Sequence, residues 1–212
     1  MQKRIITVGH CLYDIRNYVE QFPEKDQTAI MRMHPKVSGG GSAANVAVNL
    51  SKLGFSAGLI ANIGNDRHGK YLLSELKRFK IDTSEVKIFN GMTGLSVIII
   101  DKEGEVRIFI DYGVADRKRK INPDYIKEAD FLHISGCALH MIESASKIAS
   151  KCGIPISFDP GRAASKFGEK SLSNVLKRVE YLIINRKELF AMVGSKEDSE
   201  IQRLSNKYDL TC

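Results

Sequence analysis

No stretch of the 212-residue sequence approaches the roughly 18 apolar residues that a bilayer-spanning helix needs; the densest run is Leu95 to Ile100. A membrane partner is therefore not expected. The N-terminus MQKRIITVGHCLYDI has basic residues but only a short apolar strand before Asp14, which argues against a secretory signal. Cysteine is sparse: Cys11, Cys137, Cys152 and Cys212 are scattered, with no metal-ligand spacing and no disulfide framework. Such usage fits a reducing compartment and predicts a cytoplasmic protein. His10, His34, His68, His133 and His140 likewise show no ligand spacing, and His133 and His140 read as packed or capping side chains. Internal repeats, low-complexity segments and a clear interdomain linker are all lacking, which leaves one α/β domain, with room for a small appended subdomain.

What is present is a soluble globular composition, 43% hydrophobic and 27% charged, enough to bury an ordinary core. The net charge of +7 fits either nucleic acid or a phosphorylated small molecule. The one basic cluster, Arg117 to Lys120, precedes Pro123 and carries no interleaved aromatics. It reads as a solvated loop, and nucleic acid is not expected as a partner.

Strand and helix patterns alternate along the chain. Ile5–Val8 is β-branched, Ala43–Leu53 is a helix with apolar residues on several faces, Ala57–Ile63 is a strand and His68–Phe79 an amphipathic helix. Thr93–Ile100 and Val106–Ile110 flank the turn Asp101-Lys102-Glu103-Gly104 and predict an antiparallel hairpin, which a weakly alternating Gln27–Met33 strand could join. Strands are predicted again at Phe131–Ser135, Ile154–Asp159 and Tyr181–Ile184, with helices at Ile142–Lys151, Leu172–Lys177, Lys187–Val193 and around Ser199–Lys207. This spacing points to βαβ units and a mostly parallel sheet. Ligands of such sheets bind beyond the carboxyl ends of the strands, where Asp14, Asn62 to Asp66, Asp159 and Asn185 are expected.

The segment Ser38 to Gly54, SGGGSAANVAVNLSKLG, runs three glycines into a helix. Glycine permits hinge conformations and close backbone approach, and a helix start favours an anion. A plain flexible loop explains the same residues equally well. Gly39-x-Gly41-x-x-Ala44 also fits a loose dinucleotide fingerprint, but His34-Pro35-Lys36-Val37 makes a poor buried strand before it.

Gly40-Gly41-x-x-x-Asn45, continuing to Gly54, resembles the N-terminal signature of the ribokinase-like (PfkB) family of small-molecule kinases. Gly64-x-Asp66-x-x-Gly69, Thr93-Gly94, Phe158-Asp159-Pro160 with Arg162, and Asn185-x-x-Glu188 follow in that family's order. The resemblance covers essentially the whole chain. It implies a three-layer α/β sandwich with a mostly parallel central sheet, plus a small β-sheet lid with strands roughly within 14–37 and 93–111.

The implied activity is ATP-dependent phosphorylation of a hydroxyl on a sugar, sugar derivative or nucleoside, with Mg²⁺ as cofactor. By the same resemblance Asp14 and Asn45 would hold acceptor hydroxyls, a task suited to a carboxylate that accepts two hydrogen bonds. Gly40 and Gly41 would form the lid hinge, and a homodimer would form through the lid. Asn185 and Glu188 would place phosphate and metal-bound water, with Glu188 acting on the metal through water. An Asn with Glu three residues on is also a helix capping pattern. Arg162 would neutralise phosphate, although Asp159-Pro160-Gly161-Arg162 departs from the family's Asp-x-Asn-x-Arg. Ser42 stands where ribokinases proper usually have lysine, which weakens ribose as the acceptor.

The family's Gly-Ala-Gly-Asp turn, which carries the catalytic base, does not occur in the sequence. The expectation is a fragment of a longer kinase that cannot turn over by itself. Two further readings stay open: a non-catalytic sugar- or nucleoside-binding protein on the same fold, and a dinucleotide-dependent oxidoreductase.

Overall fold

The computed structural model describes residues 2–212. Its central sheet has six strands in the order β10-β9-β8-β1-β4-β5, all parallel. These are β1 (Arg4–Val8), β4 (Ser56–Gly64), β5 (Val86–Phe89), β8 (Phe131–Ser135), β9 (Ile156–Asp159) and β10 (Tyr181–Leu182). A second sheet, in the order β3-β2-β6-β7, contains β2 (Leu12–Tyr18), β3 (Lys36–Gly40), β6 (Leu95–Ile100) and β7 (Val106–Asp111). Here β2 runs parallel to β6, and both outer pairs are antiparallel.

Alternation along the central strands feeds two cores. Ile6, Val8, Ile60, Leu132, Ile134, Ile156 and Phe158 point to one face, under α3 (Pro123–Lys127), α4 (Leu139–Lys151), α6 (Gly168–Leu176), α7 (Arg186–Val193) and α8 (Asp198–Tyr208). Ala57, Leu59, Ala61 and Ile63 point to the other, under α1 (Ser42–Lys52) and α2 (Arg67–Arg78). A sheet buried on both faces gives the expected three layers. The buried face of α1 consists of Ala43, Ala44 and Ala47, so the helix packs close to the sheet. Thr7 Oγ1 of β1 donates to Ala43 O at 3.1 Å.

The Gly64-x-Asp66-x-x-Gly69 block fastens α2 to the base of the hairpin. Asp66 caps α2 by accepting from Gly69 N at 2.9 Å, and it accepts from Thr93 Oγ1 at 2.6 Å and Thr93 N at 3.0 Å. Burial pushes its carboxyl up, but these donors more than offset that and hold it below the usual carboxylate range. A Cβ on Gly64 would overlap Gly91 O, and one on Gly69 would overlap Gly64 O.

Several sequence expectations need correction. Gln27–Met33 is not a strand: it contributes one bridge, Met31 to Val19, and Ile30 is 85% exposed. An alternating pattern forms a strand only where a neighbour and a buried face await it. The third strand is instead Lys36–Gly40, an antiparallel partner of β2 outside the central sheet, so the glycines do not open a parallel βαβ unit. The Arg117–Lys120 run is not wholly solvated. The Arg119 side chain is only 5% exposed, pairing with the Glu85 carboxylate and donating to Glu85 O at 2.8 Å. Asn62 lies inside β4, buried, where its Nδ2 donates to Ala115 O and Arg117 O at 3.0 and 2.9 Å. Helix α4 starts at Leu139, ahead of the predicted Ile142, and so includes His140.

Candidate active site

The strand order reverses beside β1, whose neighbours are β8 and β4, and a crevice opens there beyond the carboxyl ends. The result is a cleft of about 270 Å³, close to the lower bound for small-molecule sites. Its floor is His10 after β1, Gly136 after β8, and Pro160 to Ala163 after β9. Gly41, Ser42 and Asn45 at the start of α1 form one side. The second sheet is the roof. Residues two apart share a face of a strand, so Leu12 and Asp14 of β2, Ser96 and Ile98 of β6, and Ile108 and Ile110 of β7 all reach the cleft. Register places Asp14 opposite Ser96, and Ser96 opposite Ile110.

Asp14 is the one carboxylate among the described residues lining this cleft. Burial raises its pKa, opposed by Arg16 and by a hydrogen bond with Ser96. Gly40 does not line the cleft, but a Cβ there would lie within 3.0 Å of both Asp14 carboxylate oxygens. Gly41 has φ +88°, and its Cβ would overlap the His10 carbonyl. The two glycines therefore hold β3 against β2 and turn the chain directly into α1, which starts with no side-chain cap and no acidic residue in its first turn. Such a helix start favours negative charge.

His10 was not singled out from the sequence. Its ring is 7% exposed, holds Asp116 through Nε2 to Oδ1 at 2.6 Å, and lies 4.6 Å from the Tyr112 ring. Asp116 also accepts from Ala138 N at 3.1 Å. Burial would raise the Asp116 carboxyl, but His10 and the Ala138 amide hold it below the usual range. The signal that could have found His10 is its position just past the carboxyl end of the central strand.

A second cleft, of about 550 Å³, is lined by Arg162, Ser165, Lys166, Asn185, Arg186, Lys187, Glu188 and Ala191. Asn185 and Glu188 form a complete capping box at the head of α7. Asn185 Oδ1 accepts from Lys187 N and Glu188 N, each at 3.0 Å, while Glu188 Oε2 accepts from Asn185 N at 3.1 Å. Both side chains thus have a structural task that explains their spacing without a ligand. Nδ2 of Asn185 and Oε1 of Glu188 remain outside the cap. Arg162 lines both clefts.

Among the described residues no group of three or more His, Cys, Asp or Glu side chains gathers as a metal site. Mg²⁺ typically draws on phosphate oxygens and water plus one or two carboxylates, and Glu188 Oε1 offers one such oxygen. That donor set fits a water-mediated Mg²⁺ and no dedicated cage. Cys11 and Cys137 are buried thiols whose pKa burial pushes up, to about 12 for Cys11, so neither is an activated nucleophile. No helix among the described residues is long and apolar enough to cross a membrane.

This geometry has counterparts. An ATP-dependent ribose-1-phosphate kinase of Halopiger xanaduensis is 31% identical over 97% of this chain and 72% of its own length. A nucleoside kinase of Methanocaldococcus jannaschii is 27% identical over 88% of the chain and 61% of its own length. The chain spans only 50% of a 5-dehydro-2-deoxygluconokinase of Clostridium perfringens that is 33% identical to it. The fold is that of Arabidopsis thaliana ribokinase, solved with ribose and ATP, at a TM-score of 0.81 and 21% identity over 99% of this chain and 69% of that one. The signature of the pfkB family carbohydrate kinases matches residues 2–208. With the ordered motifs, the two sheets and a match over nearly its whole length, the chain belongs to the pfkB family of carbohydrate kinases.

Proposed function

We propose that this chain carries the acceptor site and part of the phosphate site of an ATP-dependent kinase acting on a hydroxyl of a sugar, sugar derivative or nucleoside. The observation that carries this reading is the placement of Arg162 between the two clefts. A cation shared by an acceptor cleft and a phosphate cleft is suited to a group passing from one to the other. Phosphoryl transfer depends chiefly on alignment and charge stabilisation, which such a residue supplies.

Asp14 would accept hydrogen bonds from two neighbouring hydroxyls, and Asn45 would bind a third polar group from the opposite wall. The isoleucine face of the second sheet would cover the acceptor and exclude water once the sheet closes as a lid, with Gly40 and Gly41 at its hinge. Asn185 Nδ2 and Glu188 Oε1 would face the donor phosphates, and Mg²⁺, when bound, would neutralise their charge. With its one lining carboxylate engaged on hydroxyls, the cleft has no second carboxylate to take the proton. The 212-residue chain is therefore expected to bind acceptor without turning over.

The relatives' names make ribose 1-phosphate and nucleosides the first acceptors to test. A thermal-shift screen of pentoses, pentose phosphates, hexoses and nucleosides should show stabilisation by at least one polyol. No shift with any of them at millimolar concentration contradicts the reading.

Every residue of β7 is exposed, and it forms an edge of the second sheet, with Phe109 60% exposed. Exposed edges of this kind invite pairing, which supports a homodimer through the second sheet. Light scattering should return twice the chain mass of 23.6 kDa.

A further inference from the structure

The face of the second sheet that roofs the cleft carries a cation with no task in the acceptor reading. Leu12 and Asp14 line the cleft, and Arg16 continues the same face of β2 one strand repeat further on, about 7 Å from Asp14 along the strand. Both polar side chains lean over β3. Asp14 sits against Gly40, and Arg16 donates through Nη2 to Ser38 Oγ, two residues back on the same face. Burial raises the Asp14 pKa, and Arg16 is near enough to oppose that. The two form no salt bridge and Arg16 makes none among the described residues, whereas Arg32, whose amide bonds to the β2 backbone at Tyr18, pairs with Glu20 at 3.0 Å. Nη2 is the one Arg16 nitrogen with a hydrogen-bond partner, and Nε is buried without any. Lys36, exposed and opposite Arg16 in the register, adds a second positive charge beside it. A guanidinium is a fork of donors shaped for an oxyanion, and a single serine hydroxyl does not use it.

We propose that Arg16 is a specificity-determining residue that reads an anionic substituent on the acceptor. The preferred acceptor is then a sugar bearing an oxyanion, a pentose phosphate before a neutral sugar or a nucleoside. The inference rests on the acceptor reading of the cleft and narrows it. Arg162, in the short helix α5 (Gly161–Ala164), borders the cleft on the side shared with the second cleft. The reacting hydroxyl would lie at that end, the neighbouring hydroxyls on Asp14, and the anion at the Arg16 end. Without a cation there, a phosphate would meet the Asp14 carboxylate unopposed, and like charges at such range repel strongly in a sheltered site. The cleft volume of about 270 Å³ also suits one ring with a compact substituent better than the linked ring systems of a nucleoside.

The test is calorimetric titration of the 212-residue chain with ribose, ribose 1-phosphate, ribonate and adenosine. Ribose 1-phosphate should bind the parent at least tenfold more tightly than ribose, and the advantage should shrink as salt is raised. Arg16→Gln should weaken ribose 1-phosphate about tenfold, the size of one hydrogen bond to a charged group, and leave ribose unchanged. Arg16→Lys keeps the charge but loses the fork, and should recover part of the loss. Arg107→Gln removes the same charge from the opposite face of the second sheet, since Ile108 and Ile110 of β7 face the cleft, and should change nothing. Ribonate separates the two oxyanions: an Arg16-dependent preference for either supports the assignment, and the larger preference names the anion. A preference for neither overturns it, as does adenosine binding more tightly than both. Equal weakening of ribose and ribose 1-phosphate in Arg16→Gln also overturns it, because the arginine would then serve only to hold β3, and so does an equal effect of Arg107→Gln. If ribose or adenosine binds while the anion adds nothing, only the role of Arg16 falls. If none of the four ligands binds, the acceptor reading falls with it.

Discussion

The carboxylate of Asp14 occupies the space where a side chain on Gly40 would begin: a Cβ there would approach both Asp14 oxygens to less than 3.0 Å. The pairing is specific within the glycine run. A Cβ on neighbouring Gly39 would meet nothing closer than Leu72 Cδ2 at 3.4 Å, an ordinary contact. Gly40 and Asp14 are thus one feature, and the glycine clears the volume in which the carboxylate sits.

Gly40→Ala should therefore displace Asp14 and weaken acceptor binding at least tenfold, while Gly39→Ala should bind as the parent does. Calorimetry on the two variants checks this. Equal behaviour of the pair would show that the glycines serve only backbone flexibility.

Asp66→Ala should destabilise the fold by removing the cap of α2 and both anchors of Thr93. Loss of the cap costs about 1 kcal/mol, and orphaning the buried Thr93 groups brings the total to roughly 2–4 kcal/mol. Urea denaturation measures it. Because the folded-state carboxyl is held below its ordinary value, its contribution is present above the usual carboxylate range and is lost as the pH falls through its depressed pKa.

Glu169 of α6 ties down α8 through Arg203 at 2.6 Å, Lys207 at 2.8 Å and Tyr208 Oη at 2.9 Å. The Arg203 hydrogen bond, ahead of the others, lowers its pKa from 4.5 to about 2 against the opposing effect of burial. Stability from this group is complete above pH 4.5 and is lost as the pH falls toward 2. Glu169→Gln should lower the melting temperature at pH 7 and narrow its gap to the parent as the pH drops through that window. A gap independent of pH would contradict the assignment.

The alternation of strands and helices was legible because the central strands bury both faces and carry apolar runs such as Ala57–Ala61. The second sheet was harder to read. Strand β2, LYDIRNY, places Asp14 on a face that meets a cleft and not a core, so its pattern does not alternate as a half-buried strand should. Strand β3 holds two of the three glycines, which weaken any local strand signal. At the site, Gly41, Asn45 and Arg162 came from ordered motifs and Asp14 from the family resemblance alone, and all four line the cleft beneath the second sheet. His10, the isoleucines of β6 and β7, and Ser165 belong to no motif. They meet only through the crossing of two sheets and through a turn between helices, contacts that local sequence does not encode. Asn185 and Glu188 were ambiguous in the sequence, and their capping box fills the structural role without ruling out a ligand at their free atoms.

Calorimetric titration of the parent chain and Asp14→Asn with ribose, ribose 1-phosphate and nucleosides tests the central claim most directly. The cleft beneath the second sheet, as an acceptor site organised by Asp14, predicts that at least one of these binds the parent. Asp14→Asn should bind it ten- to a hundredfold more weakly, since hydrogen bonds to a charged group contribute about 1.5–3 kcal/mol. Equal affinity in the two proteins, or binding by neither, would contradict it.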